Sequence, residues 1–288
     1  MPDGSTLHGR PTLITDSYAE AASGADILLL CLPGFAIKEE LERLAPFLSR
    51  STKIGSIVSS TGFFFIAHEV MSPTQPLFGF QRVPFICRTL EYGHRVEIKG
   101  TKKELSVAME NIGEEFCSTL GYLFDSPVHM LGNYFEASLS NSNPLLHTSR
   151  LYTMLKNWDG TPFPSRPLFY EEWTEEATEL YIGMDIEFQG LLKVLGIRDG
   201  AIPTVLDYYE SADAPSLATK IRSIPAFRGI LSPMRAVPGG FVPDFSSRYF
   251  TEDFPFGLKF IRDLAHQHHL ECPLVDKVYR WGMEQIGK

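Results

Sequence analysis

Two short segments carry the residue types that move protons and hold carboxylates. The first is Asn141-Ser-Asn-Pro-Leu-Leu-His147. A neutral imidazole donates and accepts protons near pH 7. Hydride reduction of a carbonyl or imine needs such a proton, delivered to the oxygen or nitrogen of the same centre. Pro144 fixes the local backbone and suits the first turn of a helix, so His147 is expected to project from that turn, close to a domain junction. The alternative is a histidine satisfied inside a core. The second segment is Ser247-Arg-Tyr-Phe-Thr-Glu-Asp-Phe-Pro-Phe-Gly-Leu258. The Arg248 guanidinium suits bidentate capture of a carboxylate. Asp253 suits the second ring nitrogen of an acid–base histidine, where a carboxylate fixes the tautomer and stabilises the imidazolium. Thr251, Glu252 and Asp253 also fit plain helix N-caps. Taken together, His, Asp and Arg are the set that reduction of a 2-keto acid or its imine requires: one orients the substrate carboxylate, one donates the proton, and one positions the donor.

The elements that must place these groups follow from the apolar pattern. Asp26-Ile-Leu-Leu-Leu-Cys-Leu32 and Lys53-Ile-Gly-Ser-Ile-Val-Ser59 are continuous apolar runs of the kind buried on both faces of a parallel sheet. Between them, Ile37, Leu41, Leu44 and Leu48 recur at helical spacing. Residues 18–25 and 63–71 predict helices, 76–88 and 95–99 strands, and 104–120 a further helix. Strands alternating with helices predict a doubly wound, mostly parallel α/β unit over residues 1–135. From residue 136 to 288 the pattern predicts an all-α domain, with helices over 137–156, 171–195, 216–222, 249–268 and 274–286. Glu171-Glu172 and Glu175-Glu176 suit a solvated first helical turn.

Composition restricts the function class. The 288 residues are 44% hydrophobic and 21% charged, which is globular and long enough for two domains. A net charge of −9 and pI near 5.4 argue against nucleic acid or an anionic membrane as partner. The four cysteines form no Cys-x-x-Cys pair and fit reduced thiols, and the longest apolar run is too short to span a bilayer. No secretion or lipidation signal is visible, so a cytoplasmic location is expected. His266, His268 and His269 have no acid or cysteine at ligand spacing in the sequence, so capping and solvation are expected there and no metal site.

The two segments resemble the paired signatures of the opine dehydrogenases, of which the octopine and nopaline enzymes are the familiar members. Phe169-Tyr170, the helix Tyr181-Ile-Gly-Met-Asp-Ile-Glu-Phe-Gln189 and Leu195-Gly-Ile197 are similar to the same family. So, less specifically, are Ala25 to Pro33, Phe85-Ile-Cys-Arg88 and Tyr92-Gly93. The resemblance runs from about Leu13 to the C-terminus. It implies an NAD- or NADP-dependent oxidoreductase acting on CH–NH bonds, which reductively condenses an amino acid with a 2-keto acid. It further implies that His147 is the general acid–base, that Asp253 is its carboxylate partner, and that Arg248 binds a substrate carboxylate. Asn141 and Asn143 would brace the loop and touch substrate or nicotinamide.

One departure is plain. The Gly-x-Gly-x-x-Gly turn that opens a dinucleotide-binding domain occurs nowhere in this sequence. The chain therefore reads as a partial Rossmann unit with its first βαβ element missing. Remaining cofactor contacts are expected from loops at strand carboxyl ends, namely Leu32, Pro33 and Gly34 after one strand and Ser60, Thr61 and Gly62 after the next. An unpaired strand edge, covered by further residues or by a second copy in a homodimer, and weak NAD(P) binding are the expected consequences. Two other functions fit the same pattern: a simple 2-hydroxy acid or ketopantoate-type dehydrogenase, and a truncated non-catalytic remnant that folds or self-associates without nucleotide.

Overall fold

The computed structural model describes residues 4–286 and divides into two compact units, one running up to Ser140 and the other starting at Asn141. The division falls after Ser140, beyond the expected 135/136 boundary, because the helix at 134–138 lends Ala137 to the core of the first unit.

The first unit is built on a five-stranded sheet. Its elements in chain order are α1 (Tyr18–Ala22), β1 (Ile27–Leu30), α2 (Gly34–Leu44), β2 (Lys53–Ser56), α3 (Phe63–Val70), β3 (Leu77–Phe80), β4 (Phe85–Glu91), β5 (Arg95–Thr101), β6 (Leu105–Glu110), α4 (Phe116–Phe124), β7 (Val128–Met130) and α5 (Tyr134–Ser138). Strand order is β1-β2-β3-β6-β7, with β3–β6 antiparallel and the other three junctions parallel. Alternation along each strand sends side chains to opposite faces. Leu28, Leu30, Ile54 and Leu77 pack with Ile37, Leu41, Phe63 and Phe64 of α2 and α3. Ile27, Leu29, Phe78 and Val107 pack with Phe116 and Leu120 of α4. This is the doubly wound architecture that the strand–helix alternation predicts. Within the described residues β1 is an edge, hydrogen-bonded to β2 alone.

Two expectations in this unit are corrected. The run 76–88 is two strands, interrupted at Gln81–Pro84, and the second half leaves the sheet to form an exposed hairpin, β4–β5. Residues 104–120 are not one helix: Leu105 and Val107 are buried at strand spacing on β6, which pairs with β3, and the helix begins only at Phe116. The Glu, Ala and Met content of that stretch favours helix locally, and the open flank of β3 overrides it.

The second unit is mainly helical. It contains α6 (Asn143–Leu155), α7 (Glu175–Val194), α8 (Val205–Tyr208), α9 (Ala214–Ser223), a hairpin of β8 (Met234–Val237) and β9 (Gly240–Pro243), α10 (Arg248–Thr251), α11 (Lys259–Gln267) and α12 (Pro273–Ile286). The hairpin is a departure from the all-α expectation: Pro238-Gly239 makes its turn, with Gly239 at φ +89°. The helix expected over 137–156 is broken at Leu139–Ser142, because Pro144 is compatible only with a helix start. Glu171 and Glu172 precede α7 rather than opening it. They accept from the backbone N–H of Gly229 and Leu168, while Thr174 caps the helix. The helix expected over 249–268 is α10 and α11 joined by a wide π-turn at Phe254–Leu258, in which Leu258 N–H donates to Asp253 C=O at 2.7 Å. No helix among the described residues is long and apolar enough to cross a membrane.

Glycines set how closely these helices approach. A Cβ on Gly257 would lie 2.5 Å from the Pro144 ring, and one on Gly282 would lie 2.0 Å from the Phe254 ring. Both neighbours are rigid, so neither clash is relieved by a rotamer change. Gly190, on the exposed side of α7, has nothing within 4 Å of such an atom. Urea or thermal unfolding should therefore separate them. Gly257→Ala and Gly282→Ala should each lose about 1–3 kcal/mol, whereas Gly190→Ala should gain about 0.5–1 kcal/mol.

Candidate functional site

His147 lies on α6 one turn after Pro144, and Asp253 lies four residues before Gly257 at the head of the π-turn. The Pro144–Gly257 contact thus brings the two signature segments together, and their polar side chains meet one turn away. His147 Nδ1 is 2.7 Å from Asp253 Oδ2. An ionised carboxylate only accepts, so the neutral ring carries its proton on Nδ1. Its Nε2 is then an acceptor, and the Tyr170 hydroxyl donates to it at 2.8 Å. Both side chains of the pair are largely buried, 11% and 15% exposed, which keeps the interaction clear of solvent screening. His147 sits just beyond the first turn of α6, slightly later than the sequence suggests.

Tyr170 and Arg150 were given no role by the sequence. Tyr170 stood only among residues of family-like pattern, and a lone arginine inside an apolar helix carries no visible partner. The structure makes them the frame of the pair. Arg150, one turn along α6 from His147, is buried and donates from Nε to the Phe169 carbonyl at 3.1 Å. That bond fixes the backbone immediately before Tyr170. Burial pushes the Arg150 guanidinium down to about 10, so it stays charged at neutral pH. The Tyr170 ring stacks on Phe227 with centroids 4.0 Å apart and runs parallel to Trp173. Burial, followed by the nearby Tyr249, pushes the Tyr170 phenol well above its ordinary value. Phe169 and Tyr249 close around the imidazole, the latter with ring centroids 4.6 Å away.

The remaining candidates of this unit are more open. Arg248, the first residue of α10, is exposed, and its guanidinium enters no ion pair among the described residues. It adjoins Tyr249, which touches the imidazole. The Asn141 side chain accepts from Asn143 N–H at 3.2 Å and so holds the turn into α6, while the Asn143 side chain is exposed.

The cofactor candidates belong to the first unit. Leu32, Pro33 and Gly34 follow β1, and Ser60, Thr61 and Gly62 follow β2. Because β1 and β2 are adjacent and parallel, both loops emerge side by side at the carboxyl end of the sheet. Pro33 gives α2 no side-chain cap, which leaves its first N–H groups able to meet an anion. Gly62 adopts φ +82° at the start of α3, a conformation that needs glycine. The Thr61 hydroxyl is committed to Val58 C=O, and the neighbouring Ser59 hydroxyl, buried against Gly79 of β3, has no partner among the described residues. The uncapped start of α2 fits a phosphate group of a dinucleotide.

Comparison with known proteins decides the family. The profile of the NAD/NADP octopine/nopaline dehydrogenase alpha-helical domain matches residues 130–286. The chain belongs to the octopine/nopaline dehydrogenase family. It is accordingly an NAD(P)-dependent oxidoreductase of the opine dehydrogenase type. Tauropine dehydrogenase of Arabella iricolor is 30% identical over 98% of this chain and 76% of its own length. An octopine dehydrogenase solved with NADH and L-arginine is 28% identical and superposes with a TM-score of 0.87, over all of this chain and 76% of the other. An octopine dehydrogenase solved with NADH and pyruvate gives 27% and 0.84, over 97% and 73%.

The environment of Tyr170 has a measurable alkaline consequence. A phenol raised by burial favours the folded state below the unfolded value of about 10, and that contribution is lost as pH climbs toward the folded value. Tyr170→Phe removes this penalty and should move alkaline unfolding, followed by circular dichroism, to higher pH. It should leave unchanged the tyrosinate absorbance that the native protein develops below that transition.

Proposed function

We propose that this opine dehydrogenase family member condenses an amino acid with a 2-keto acid and reduces the resulting imine, with His147 as general acid–base and Asp253 as its partner. The observation that carries the proposal is the 2.7 Å contact between the His147 ring and the Asp253 carboxylate, from residues 106 positions apart. Asp253 holds the ring with Nδ1 protonated and offsets the charge of the imidazolium. The protonated ring then carries a transferable proton on Nε2, the atom that would serve the imine nitrogen. Tyr170 is a positioning residue in this scheme. Its hydroxyl donates to Nε2 of the neutral ring and orients it, and the substrate nitrogen takes that place on Nε2 for proton transfer while Asp253 keeps hold of Nδ1. Arg248, in no ion pair among the described residues and beside Tyr249, binds a substrate carboxylate. Asn141 and Asn143 brace the start of α6, and Leu32, Pro33, Gly34, Ser60, Thr61 and Gly62 contact the cofactor. When bound, NAD(P)H supplies the hydride that reduces the imine carbon. The aromatic wall of Phe169 and Tyr249 keeps water from the ring. Four free thiols fit a cytoplasmic location.

The similarity to proteins solved with an amino acid and with a 2-keto acid favours this scheme over simple 2-hydroxy acid formation. NADH oxidation by the purified chain, with a 2-keto acid alone and then with an amino acid added, tests it. Consumption should depend on the amine, and equal rates without it would establish the simple dehydrogenase instead. His147→Gln should lower kcat by about 10²–10⁴ with the fold intact by circular dichroism. Arg248→Met should instead act mainly through KM for the carboxylate substrates.

A further inference from the structure

A second cluster of chemically capable side chains lies away from the His147–Asp253 pair, where α11 turns into α12. The sequence offers His266 no acid or cysteine at ligand spacing, yet the fold supplies both. The chain reverses after α11 through His269, at φ +57°, and α12 starts at Pro273. Cys272 and Asp276 are four apart, with Asp276 N–H donating to Cys272 C=O, so they share a face of the first turn. One ligand atom each from His266, Cys272 and Asp276 lies within 4.8 Å of the others.

Three observations point to a cation there. His266 Nε2 and Asp276 Oδ2 are already 3.0 Å apart, sharing a proton where a metal could stand. Arg262 holds the other oxygen, Oδ1, at 2.7 Å and also bonds Asp263, so the Asp276 carboxylate is ionised and oriented with Oδ2 turned to His266. Cys272 is 3% exposed, and among the described residues its thiol enters no disulfide, although it faces this polar pair. The surroundings are acidic as well. Asp276, Glu187 and Glu271 all bear on the thiol against Arg262 alone. Glu187 is fixed in place by accepting from Leu274 and Val275 N–H at the start of α12.

We propose that His266, Cys272 and Asp276 bind a divalent transition-metal ion, zinc by the chemistry of its donors, as a clip between the end of α11 and the start of α12. Imidazole nitrogen, thiolate sulfur and carboxylate oxygen are a zinc-type set, and the thiolate discriminates against magnesium and calcium. With metal–ligand bonds of about 2.0–2.3 Å, neighbouring ligand atoms stand about 3.5 Å apart. The cluster therefore needs to contract by about 1 Å. On binding, the thiol proton and the proton between His266 Nε2 and Asp276 both leave to solvent, His266 carries its ring proton on Nδ1, the metal stands between Nε2 and the carboxylate, and water fills the fourth position.

Cobalt(II) titration of the EDTA-stripped full chain tests the site. The expected result is one equivalent bound, with a thiolate-to-metal charge-transfer band, tetrahedral visible absorption, and displacement by zinc. Zinc at about a hundredfold excess over its Kd should raise Tm by about 5 °C. His266→Asn, at an exposed position, and Cys272→Ser, checked for folding by its metal-free Tm, should each abolish the band. The double variant His268→Ala with His269→Ala should keep it. Absence of the band in the unmodified chain, its persistence in Cys272→Ser, or its loss in the His268/His269 variant would each overturn the proposal.

Discussion

The close approach of Pro144 to Gly257 is the constraint on which the site depends. A side chain at 257 would overlap the proline ring, so the two signature segments meet this closely only with glycine there. Each contact residue stands about one helical turn from a polar one, Pro144 before His147 and Gly257 after Asp253. Fixing the apolar contact therefore fixes the polar one. The π-turn adds the last adjustment, because a regular helix through Pro255 would need an N–H that proline lacks. The wider turn closes instead through Leu258 N–H and Asp253 C=O, at the residue whose side chain faces the imidazole.

The pair is embedded in a polar chain inside an aromatic shell. Arg150 fixes the Phe169 carbonyl, the next residue supplies the hydroxyl on Nε2, and the imidazole passes on to Asp253. A buried polar group left without a partner costs about 1–3 kcal/mol, whereas a completed hydrogen bond returns only about 1 kcal/mol net. The chain therefore holds its geometry mainly because every break would strand a group, and only weakly because each link stabilises. Phe227 and Trp173 restrict Tyr170 in the same sense by leaving its ring no other place to lie.

Much of this was legible in the sequence, and what was not has identifiable causes. The segments of His147 and Asp253, which the fold brings together, were visible because proline, glycine and charged residues punctuate otherwise apolar stretches. The parallel strands β1 and β2 were visible as continuous apolar runs. Strand β6 was hidden because Glu104 to Glu110 is composed of good helix formers, and only the partner β3 makes it a strand. Tyr170 and Arg150 were hidden because their partners are a side chain and a carbonyl about twenty positions distant. No spacing rule reports a contact of that kind. The convergence of His266 with Cys272 and Asp276 was hidden similarly, since the reversal after α11 shortens a separation that reads as too long for a metal motif.

The geometry also weighs against a purely structural histidine. Burying an ionisable pair is a poor way to stabilise a fold, since apolar residues of similar volume commonly do as well or better. His147 and Asp253 occupy helix positions flanked by Leu145, Leu146, Phe250 and Phe254, all buried, where a leucine pair would have packed without any polar requirement. The site instead spends a glycine, a π-turn and a buried arginine on holding one imidazole between a carboxylate and a phenol. What that arrangement provides, and an apolar pair would not, is a ring whose second nitrogen can gain and lose a proton without losing its orientation. Reduction of an imine by hydride requires a proton source of this kind.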